Sequence, residues 1–175
     1  MTDRILAGYL QRQFEEGMAL SKASDLLNLI AVSGSRQHYV AEFHCKGLVQ
    51  DESGDVVEAD RFAIGIWFPD NYLREANPFA VLTWLEPLRV FHPNVSPHAP
   101  FICIGRLAPG TSLVEILYRC FELITFQRVT MREDDALNTA ACAWARRNQH
   151  RFPVDRRPLK RLAVDFGVEP VEVTR

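Results

Sequence analysis

The period of the apolar residues constrains the fold of this sequence most, because it is two in the middle of the chain and close to 3.6 at either end. Two central segments alternate between apolar and polar positions. The first places Tyr39, Ala41, Phe43 and Cys45 on one side, and the second places Phe62, Ile64, Ile66 and Phe68. Alternation of this kind is typical of strands with one buried face. We therefore predict two strands that pair in an antiparallel manner.

Two further apolar segments flank this pair. One is the run LLNLIAV at residues 26–32, and the other is the alternating stretch from Phe79 to Trp84. Turn-forming residues separate the segments, including Glu52 to Asp55 and Pro69 to Asn71. The middle of the chain is thus predicted to form an antiparallel meander of four strands.

Apolar residues at helical spacing predict helices on both sides of this meander. The N-terminal set is Ile5, Leu6, Tyr9, Leu10, Phe14 and Met18. Ser112, followed three residues later by Glu115, is a capping-box pattern that begins a second helix. Its inward positions are Leu113, Ile116, Leu117, Cys120, Phe121 and Ile124.

A third helix is predicted in the alanine-rich stretch that ends before Pro153, with Asp134 and Asp135 as candidate caps. Its inward positions are Leu137, Ala140, Ala141, Trp144 and Ala145. The order of elements predicts an α+β fold. It has an N-terminal helix, a four-stranded antiparallel meander, a loop that carries the candidate active site, and C-terminal helices packed on the sheet.

Composition excludes several classes of protein. The chain of 175 residues is 47% hydrophobic and 24% charged, which suits one domain with one core. Its net charge of -2 gives no reason to bind nucleic acid or an anionic membrane. The first twenty residues lack the uninterrupted apolar stretch of a signal peptide or a membrane span, so we expect a cytoplasmic location.

The four cysteines differ in their predicted surroundings. They form no CxxC pair, and in a chain of this length they are expected to be reduced thiols. Cys45, Cys120 and Cys142 fall on apolar faces of predicted elements, where a thiol acts as a small hydrophobe. Cys103 instead lies in a loop between Pro100 and Gly110. Position alone therefore favours Cys103 as a nucleophile.

The order of motifs around Cys103 resembles that of the ubiquitin-conjugating enzymes. The matching residues are Phe68, Pro69 and Tyr72, then Pro78, then His92, Pro93 and Asn94, then Ile102 and Cys103, followed by TSLVEIL, by DDALN at 134–138, and by Asn148 and Phe152. The resemblance covers roughly residues 3–152. We therefore predict a catalytic domain at 1–152 and a C-terminal extension at 153–175.

The resemblance implies a mechanism and a set of partners. Cys103 would accept a ubiquitin-like protein as a thioester from an activating enzyme, docked through the N-terminal helix, and pass it to an amine of a target protein. ATP would be used by the activating enzyme, so no cofactor is expected here. From its chemistry, Asn94 could donate to the oxyanion or pin the loop backbone. The resemblance implies the first role, and the second can coexist with it.

Other site roles also follow from the resemblance. His92, Pro93 and Tyr72 would be structural, with His92 hydrogen-bonded to the backbone near the site. Asp135 would orient the incoming lysine and favour its neutral form, although Asp134 and Asp135 could instead simply cap the helix.

The sequence also departs from the family pattern. Leu73 replaces a usual proline, the loop Gly105–Gly110 is short and lacks a tryptophan, and Arg74 and Glu75 replace an apolar ligase-docking residue. Ala108 and Pro109 resemble the second docking edge. With these departures, the sequence resembles the divergent bacterial members of the family that are associated with defence against phage.

Two other functions compete with this interpretation. A non-catalytic variant would only bind ubiquitin-like proteins, although such variants typically lack the cysteine. A cysteine hydrolase would use Cys103 and His92, but no orienting partner is evident. The sequence favours no zinc site, because the spacing typical of one is absent among His44, Cys45, His92, His98 and Cys103. The segment SGSR at 33–36 lacks the lysine of a P-loop. The basic stretch 146–161 is interpreted as a solvent-exposed face.

Overall fold

The computed structural model describes residues 4–161, which form four helices and six strands. In chain order these are α1 (Arg4–Lys22), β1 (Leu27–Ala31), β2 (His38–Phe43), β3 (Gly47–Gln50), β4 (Val56–Ala59), β5 (Phe62–Trp67), α2 (Pro78–Val81), β6 (Leu82–Glu86), α3 (Leu113–Ile124) and α4 (Thr139–Arg147). Short 3₁₀ turns follow β1 and α4. None of the helices in this part of the chain is both long and apolar enough to cross a membrane.

Four strands form one antiparallel sheet in the order β1-β2-β5-β6, which confirms the predicted meander. The register pairs Tyr39 with Ile66 and Phe43 with Phe62, so the buried faces of β2 and β5 coincide. The turn-rich link between these two strands contains a second, two-stranded sheet of β3 and β4 that the sequence did not predict. Its strands are only four residues long, which is too short for a clear alternation.

The core lies between the inner face of the sheet and the helices α1 and α3. All six predicted inward positions of α3 are buried, and Ser112 caps this helix by accepting a hydrogen bond from the Glu115 backbone N–H at 3.2 Å. In α1, Leu6 and Leu10 are buried, but Ile5 is 75% exposed. A Cβ at Gly17 would lie 2.7 Å from Leu113 Cδ2, so glycine permits the close approach of α1 to α3.

The segment from Phe79 to Trp84 begins as a helical turn rather than as a strand. The Asn77 side chain accepts from the Phe79 backbone N–H at 3.0 Å, and Pro78 supplies a preset φ at the first helical position. The strand β6 then begins at Leu82. The predicted fourth strand is therefore present, but it starts later because the local capping signal determines the first turn.

The predicted cap of the last helix was wrong. Asn138, not Asp134 or Asp135, caps α4 by accepting a hydrogen bond from the Ala141 backbone N–H at 3.0 Å. Both aspartates lie in an exposed turn before the helix. The buried residues of α4 are Ala141, Cys142 and Ala145, whereas Ala140, which was predicted to point inward, is exposed.

A smaller apolar cluster connects the β3–β4 hairpin to α4. Its buried members are Leu48, Val56, Phe91, Phe126 and Ala141. Phe91 directly precedes His92, so this cluster fixes where the loop that carries the candidate site begins.

The first part of the predicted C-terminal extension packs on the domain. Leu159 is 2% exposed and belongs to the main core. The Asp155 carboxylate accepts from the Lys46 backbone N–H and from Arg157, which hold its pKa at about 2 despite its burial. Residues 162–175 lie outside the described residues.

Candidate active site around Cys103

The backbone brings Cys103 against Asn94, and this explains their spacing of nine residues. Val95 and Ile102 form an antiparallel bridge, and the Ser96 N–H donates to the Phe101 carbonyl at 2.9 Å, which closes the intervening loop. The Cys103 N–H then donates to the Asn94 carbonyl at 2.9 Å. A sequence separation of nine residues thus becomes direct contact. We call residues 92–95 the upstream flank of Cys103 and residues 104–110 its downstream flank.

The carboxamide of Asn94 makes three hydrogen bonds. Its Nδ2 donates to the Cys103 carbonyl at 3.1 Å and to the Thr130 hydroxyl at 2.8 Å, and its Oδ1 accepts from the Thr130 N–H at 2.9 Å. Both N–H donors of the amide are therefore occupied. Asn94 pins the loop backbone in this state, and it must release one of these partners before it could donate to an oxyanion.

His92 is buried, with 2% of its surface exposed. Its Nδ1 accepts from the Asn94 backbone N–H at 3.0 Å, so this nitrogen orders the backbone of the upstream flank. Its Nε2 makes no hydrogen bond of ordinary geometry within residues 4–161. Burial lowers the pKa of His92 to about 3, an effect that the neighbouring backbone of Leu123 only partly offsets. The ring is therefore neutral, and no contact aims it at the thiol of Cys103.

Phe126 holds the ring of His92 in place. The two ring centroids lie 4.3 Å apart in an edge-on arrangement. Phe126 has a positive φ of 58°, which is costly for a residue with a side chain, and it turns the chain just after α3. This turn carries the chain from α3 toward Thr130, the partner of Asn94.

The upstream flank is also tied to α4. The Pro93 carbonyl accepts from the backbone N–H of Asn138, whose side chain caps this helix. The Cys142 thiol lies 3.5 Å from the Thr130 carbonyl, within hydrogen-bonding range for sulfur. Thr130 and Asn138 were missed at the sequence level. Asn138 stands directly before an alanine-rich run and was readable as a cap, whereas nothing local marks Thr130.

Cys103 differs from the other cysteines in its access to solvent. It is partly exposed, whereas Cys45, Cys120 and Cys142 are buried. Burial raises the pKa of the Cys45 and Cys120 thiols to about 12, which keeps them protonated at neutral pH. The accessible thiol among these four is therefore Cys103.

A cavity of about 190 Å³ opens beside Cys103. The residues that line it with Cys103 are Asn94, Ile104, Gly105, Arg119, Leu123, Arg128, Val129 and Thr130. The cavity lies between the downstream flank, α3 and the segment that follows α3. It offers space for an acyl group attached to Sγ.

Asp135 does not line this cavity. Its exposed carboxylate lies 3.4 Å from Arg132 Nε, and the neighbouring Asp134 is bound more fully by the same guanidinium, at 2.5 Å from Nη2 and 3.1 Å from Nε. These contacts lower the pKa of Asp134. Asp135 is thus the less engaged of the two carboxylates.

Tyr72 lies in the core rather than at the thiol. It is fully buried, and its hydroxyl donates to the Thr111 carbonyl at 2.8 Å, just before α3 begins. Burial raises the pKa of this phenol to about 12. Tyr72 therefore ties the turn after β5 to the start of α3 and reaches the site only through that helix.

The two loops that correspond, by the family resemblance, to the ligase-docking loops of eukaryotic members lie next to each other. A Cβ on Gly110 would be 3.9 Å from Leu73 Cδ2, so the turn that carries Leu73 meets the end of the downstream flank. Arg74 and Glu75 follow on this turn, and both are exposed. The surface there is charged where the family resemblance would place an apolar residue.

The metal-site and basic-patch alternatives gain no support from the described residues. Among residues 4–161, no three His, Cys, Asp or Glu side chains are close enough to share a metal ion. Several basic side chains of the stretch 146–161 are already engaged: Arg146 with Glu133, Arg151 with the Val56 carbonyl and the Trp144 ring, Arg157 with Asp155, and Arg161 with Asp25.

Comparison of the fold with solved structures supports the family resemblance. The chain is similar to a structure described as a novel ubiquitin-conjugating enzyme, with 17% identity, a TM-score of 0.54, and coverage of 83% of this chain and 88% of that chain. It is also similar to the E2 domain of a Toxoplasma gondii ubiquitin-conjugating enzyme, with 14% identity, a TM-score of 0.51, and coverage of 81% and 90%. The sequence matches no protein-family model and no curated protein. The chain therefore has the fold of ubiquitin-conjugating enzymes, as predicted.

Proposed function

We propose that this protein is a conjugating enzyme that carries a ubiquitin-like protein as a thioester on Cys103 and transfers it to an amine of a target protein. The observation that carries the proposal is the pairing of the accessible thiol of Cys103 with the carboxamide of Asn94 beside an open cavity. A thioester suits this task because sulfur is nucleophilic at neutral pH and its acyl derivative stays reactive toward amines.

In the charging step, Cys103 Sγ attacks the carbonyl carbon of the thioester on the activating enzyme. The bond from that carbon to the activating enzyme's sulfur breaks, and the proton of the Cys103 thiol ends on the departing sulfur. Loading is therefore an exchange of one thioester for another. It requires no metal or oxidant, and ATP is used by the activating enzyme before this step.

In the transfer step, the amine attacks the acyl carbon on Cys103 and an amide forms. The carbon–sulfur bond breaks, and a proton lost from the amine returns Cys103 to its thiol form. Asn94 is the candidate donor to the oxyanion that forms during this attack. Asp135 is the candidate that orients the amine and favours its neutral form.

The proposal includes partners and a setting. The exposed face of α1 carries Arg4, Arg12, Glu15 and Glu16 and is the proposed docking surface for the activating enzyme. The charged turn at Arg74 and Glu75 and the short downstream flank resemble those of divergent bacterial members of the family, and on that resemblance the proposed setting is a cytoplasmic bacterial system for defence against phage.

The cysteine hydrolase alternative is disfavoured by His92. A hydrolase needs an imidazole that contacts the nucleophilic sulfur and can accept its proton. The ring of His92 is buried, its Nδ1 is occupied by the Asn94 N–H, and its pKa is about 3. Such a ring is a poor base at neutral pH.

The test is a charging assay with the candidate activating enzyme, ATP and the ubiquitin-like partner. Wild type should form an adduct that a reducing agent releases. Cys103→Ala should form none, and Cys103→Ser should form either none or an oxyester that resists reducing agents. Gels run with and without the reducing agent distinguish these products.

Cys45→Ala is the matched control, because it removes a buried thiol and should leave the adduct intact. An adduct that persists in Cys103→Ala would refute the assignment of the carrier. No adduct on wild type, with partners shown to be active, would favour the variant that only binds ubiquitin-like proteins.

A further inference from the structure

The cavity beside Cys103 has positively charged walls. Apart from Cys103, the ionisable side chains among its described lining residues are Arg119 and Arg128, and none of those lining residues is a carboxylate. Arg106 is exposed three residues after Cys103, and its carbonyl accepts from Arg119 Nη1 at 2.7 Å. Two arginines thus line the cavity beside the thiol, and a third, Arg106, is exposed on the adjacent downstream flank.

The neighbouring carboxylates only partly offset this charge. Glu115 pairs with Arg119 at 2.5 Å, but it lies outside the cavity lining. Glu122 forms an ion pair with Arg128 at 3.6 Å from Nη1, a distance too long for a hydrogen bond, so the guanidinium keeps its N–H donors free of that carboxylate. For Arg106, no carboxylate of residues 4–161 lies within ion-pair distance. Donors of Arg106 and Arg128 therefore remain available.

The size of the cavity determines which part of a cargo meets these arginines. About 190 Å³ admits the end of a peptide chain but not a folded protein. When the terminal residue is bonded to Cys103 Sγ, the residues just before it must pass the mouth of the cavity. Their side chains then lie near guanidinium groups, which bind carboxylates well through paired hydrogen bonds.

We propose that Cys103 is charged preferentially with a protein whose C-terminal tail carries acidic side chains just before its terminal residue. This inference rests on the proposed function and adds the chemical class of the cargo. A tail with basic side chains in the same places would meet like charge at Arg106, Arg119 and Arg128, and would be accepted more slowly.

Synthetic peptide thioesters test the preference without an activating enzyme. Three acetylated peptides, Glu-Ala-Glu-Ala-Gly, Gln-Ala-Gln-Ala-Gly and Lys-Ala-Lys-Ala-Gly, are prepared as thioesters of 2-mercaptoethanesulfonate. Cys103 Sγ attacks the glycine carbonyl carbon, the bond to the small thiol breaks, and the thiol proton of Cys103 goes to the departing sulfur. Intact mass of the full-length protein reports the rate of acylation, with Cys103→Ala as the blank.

At low ionic strength, the acidic peptide should acylate Cys103 faster than the basic one by about fivefold or more. Added salt should reduce this ratio. Arg128→Gln should lower the ratio of the two acylation rates, and Arg128→Glu should lower it further, because each removes positive charge from the cavity wall. Arg128 is exposed, so neither substitution should unfold the chain. Arg36→Gln, an exposed arginine in the turn before β2, should leave the ratio unchanged.

The outcomes separate this inference from the proposed function. Equal rates for the three peptides, or a ratio that is the same in Arg128→Glu and wild type, would overturn the acidic-tail preference while Cys103 remained an acyl carrier. No acylation of Cys103 by any of the three peptides would also overturn the preference as stated, whereas the carrier function itself fails only if the charging assay with active partners gives no adduct.

Discussion

The two flanks of Cys103 are held in different ways. The upstream flank is fixed by hydrogen bonds to two residues distant in sequence, from Asn94 to Thr130 and from the Asn138 backbone N–H to the Pro93 carbonyl. A third hydrogen bond, from the Asn94 backbone N–H to His92, lies within the flank. The downstream flank is fixed mainly by two buried side chains, Ile104 and Leu107, and by the hydrogen bond from Arg119 to the Arg106 carbonyl. Its other residues are exposed.

This difference suggests that the two flanks have different roles: the upstream flank sets the geometry around Cys103, and the downstream flank controls access to it. In the proposed reaction the upstream flank would position the Asn94 amide near the thioester carbon, and a rigid network suits that role because displacements of about 1 Å slow a reaction strongly. The downstream flank borders the cavity beside Cys103, which is the proposed path for cargo and acceptor. Polar substitutions upstream should therefore change the rate of chemistry, whereas changes downstream should alter stability or selectivity.

The largest expected effect is on transfer, in Asn94→Asp. This change keeps the oxygen that accepts from the Thr130 N–H and removes both N–H donors. We expect charging of Cys103 to persist and discharge to an amine to slow by about 100-fold or more, as for the loss of an oxyanion donor. Single-turnover discharge of the purified thioester measures this rate.

Thr130→Val separates the two roles of Asn94. It removes the hydroxyl partner of Nδ2 and keeps the backbone N–H that holds Oδ1. If donation to the oxyanion dominates, discharge should stay within about threefold of wild type, at a cost of about 1 kcal/mol in stability for the lost hydrogen bond. Discharge as slow in Thr130→Val as in Asn94→Asp would mean that loop pinning accounts for the loss.

The next effect concerns stability at acid pH and arises from His92. Its pKa is lowered from 6.5 to about 3 by burial, so between these values the unfolded chain binds a proton that the folded chain does not. The contribution of His92 to stability is therefore complete above pH 6.5 and is lost as the pH falls toward 3. The free energy of unfolding should fall by up to about 1.4 kcal/mol per pH unit from this group.

Urea denaturation at pH 7, 6 and 5 measures this slope. His92→Asn retains an acceptor for the Asn94 N–H and removes the titration, so it should flatten the slope even if it lowers the overall stability. His44→Asn changes an exposed histidine and is the matched control for the replacement of an imidazole. The same slope in His92→Asn and wild type would show that other groups determine the acid sensitivity.

A smaller effect is expected at Gly105 in the downstream flank. Its φ is +87°, and a Cβ there would meet no atom within 4 Å. Gly105→Ala should therefore cost about 1 kcal/mol through backbone strain alone and leave charging intact. Gly8 in α1 has equally open surroundings, so Gly8→Ala should raise stability by about 0.5–1 kcal/mol. Equal effects of the two changes on the urea midpoint would contradict the strain at Gly105.

The sequence predicted what local periodicity determines. Alternation predicted the buried faces of β2 and β5, and Ser112 with Glu115 predicted the start of α3. It did not predict the β3–β4 hairpin, whose short strands lack a clear alternation. It also favoured Asp134 and Asp135 over Asn138 as the cap of α4, because all three residue types cap helices and only the fold selects one.

The candidate site was likewise predicted only where its residues lie close together in the sequence. The motif from His92 to Cys103 was readable because its members lie close in sequence. Thr130 follows Asn94 by 36 positions and contacts it only after α3 and the turn at Phe126 have folded. A contact of this kind depends on tertiary packing, so no local pattern marks it.

The smallest expected effect on the rate of discharge is that of Asp135. Its substitution tests whether the turn before α4 contributes to the reaction beside the upstream flank. Arg132 binds Asp134 at 2.5 Å and Asp135 at 3.4 Å, so Asp135 is freer to orient an amine. Asp135→Asn should slow discharge to lysine by about threefold, the size of a single exposed electrostatic contact. It should leave discharge to hydroxylamine unchanged, because that amine is already neutral at pH 7. Asp134→Asn is the matched control and should behave as wild type. If Asp134→Asn were the slower variant, the lysine-orienting role would belong to Asp134, and equal rates in all three proteins would leave this turn with a structural role only.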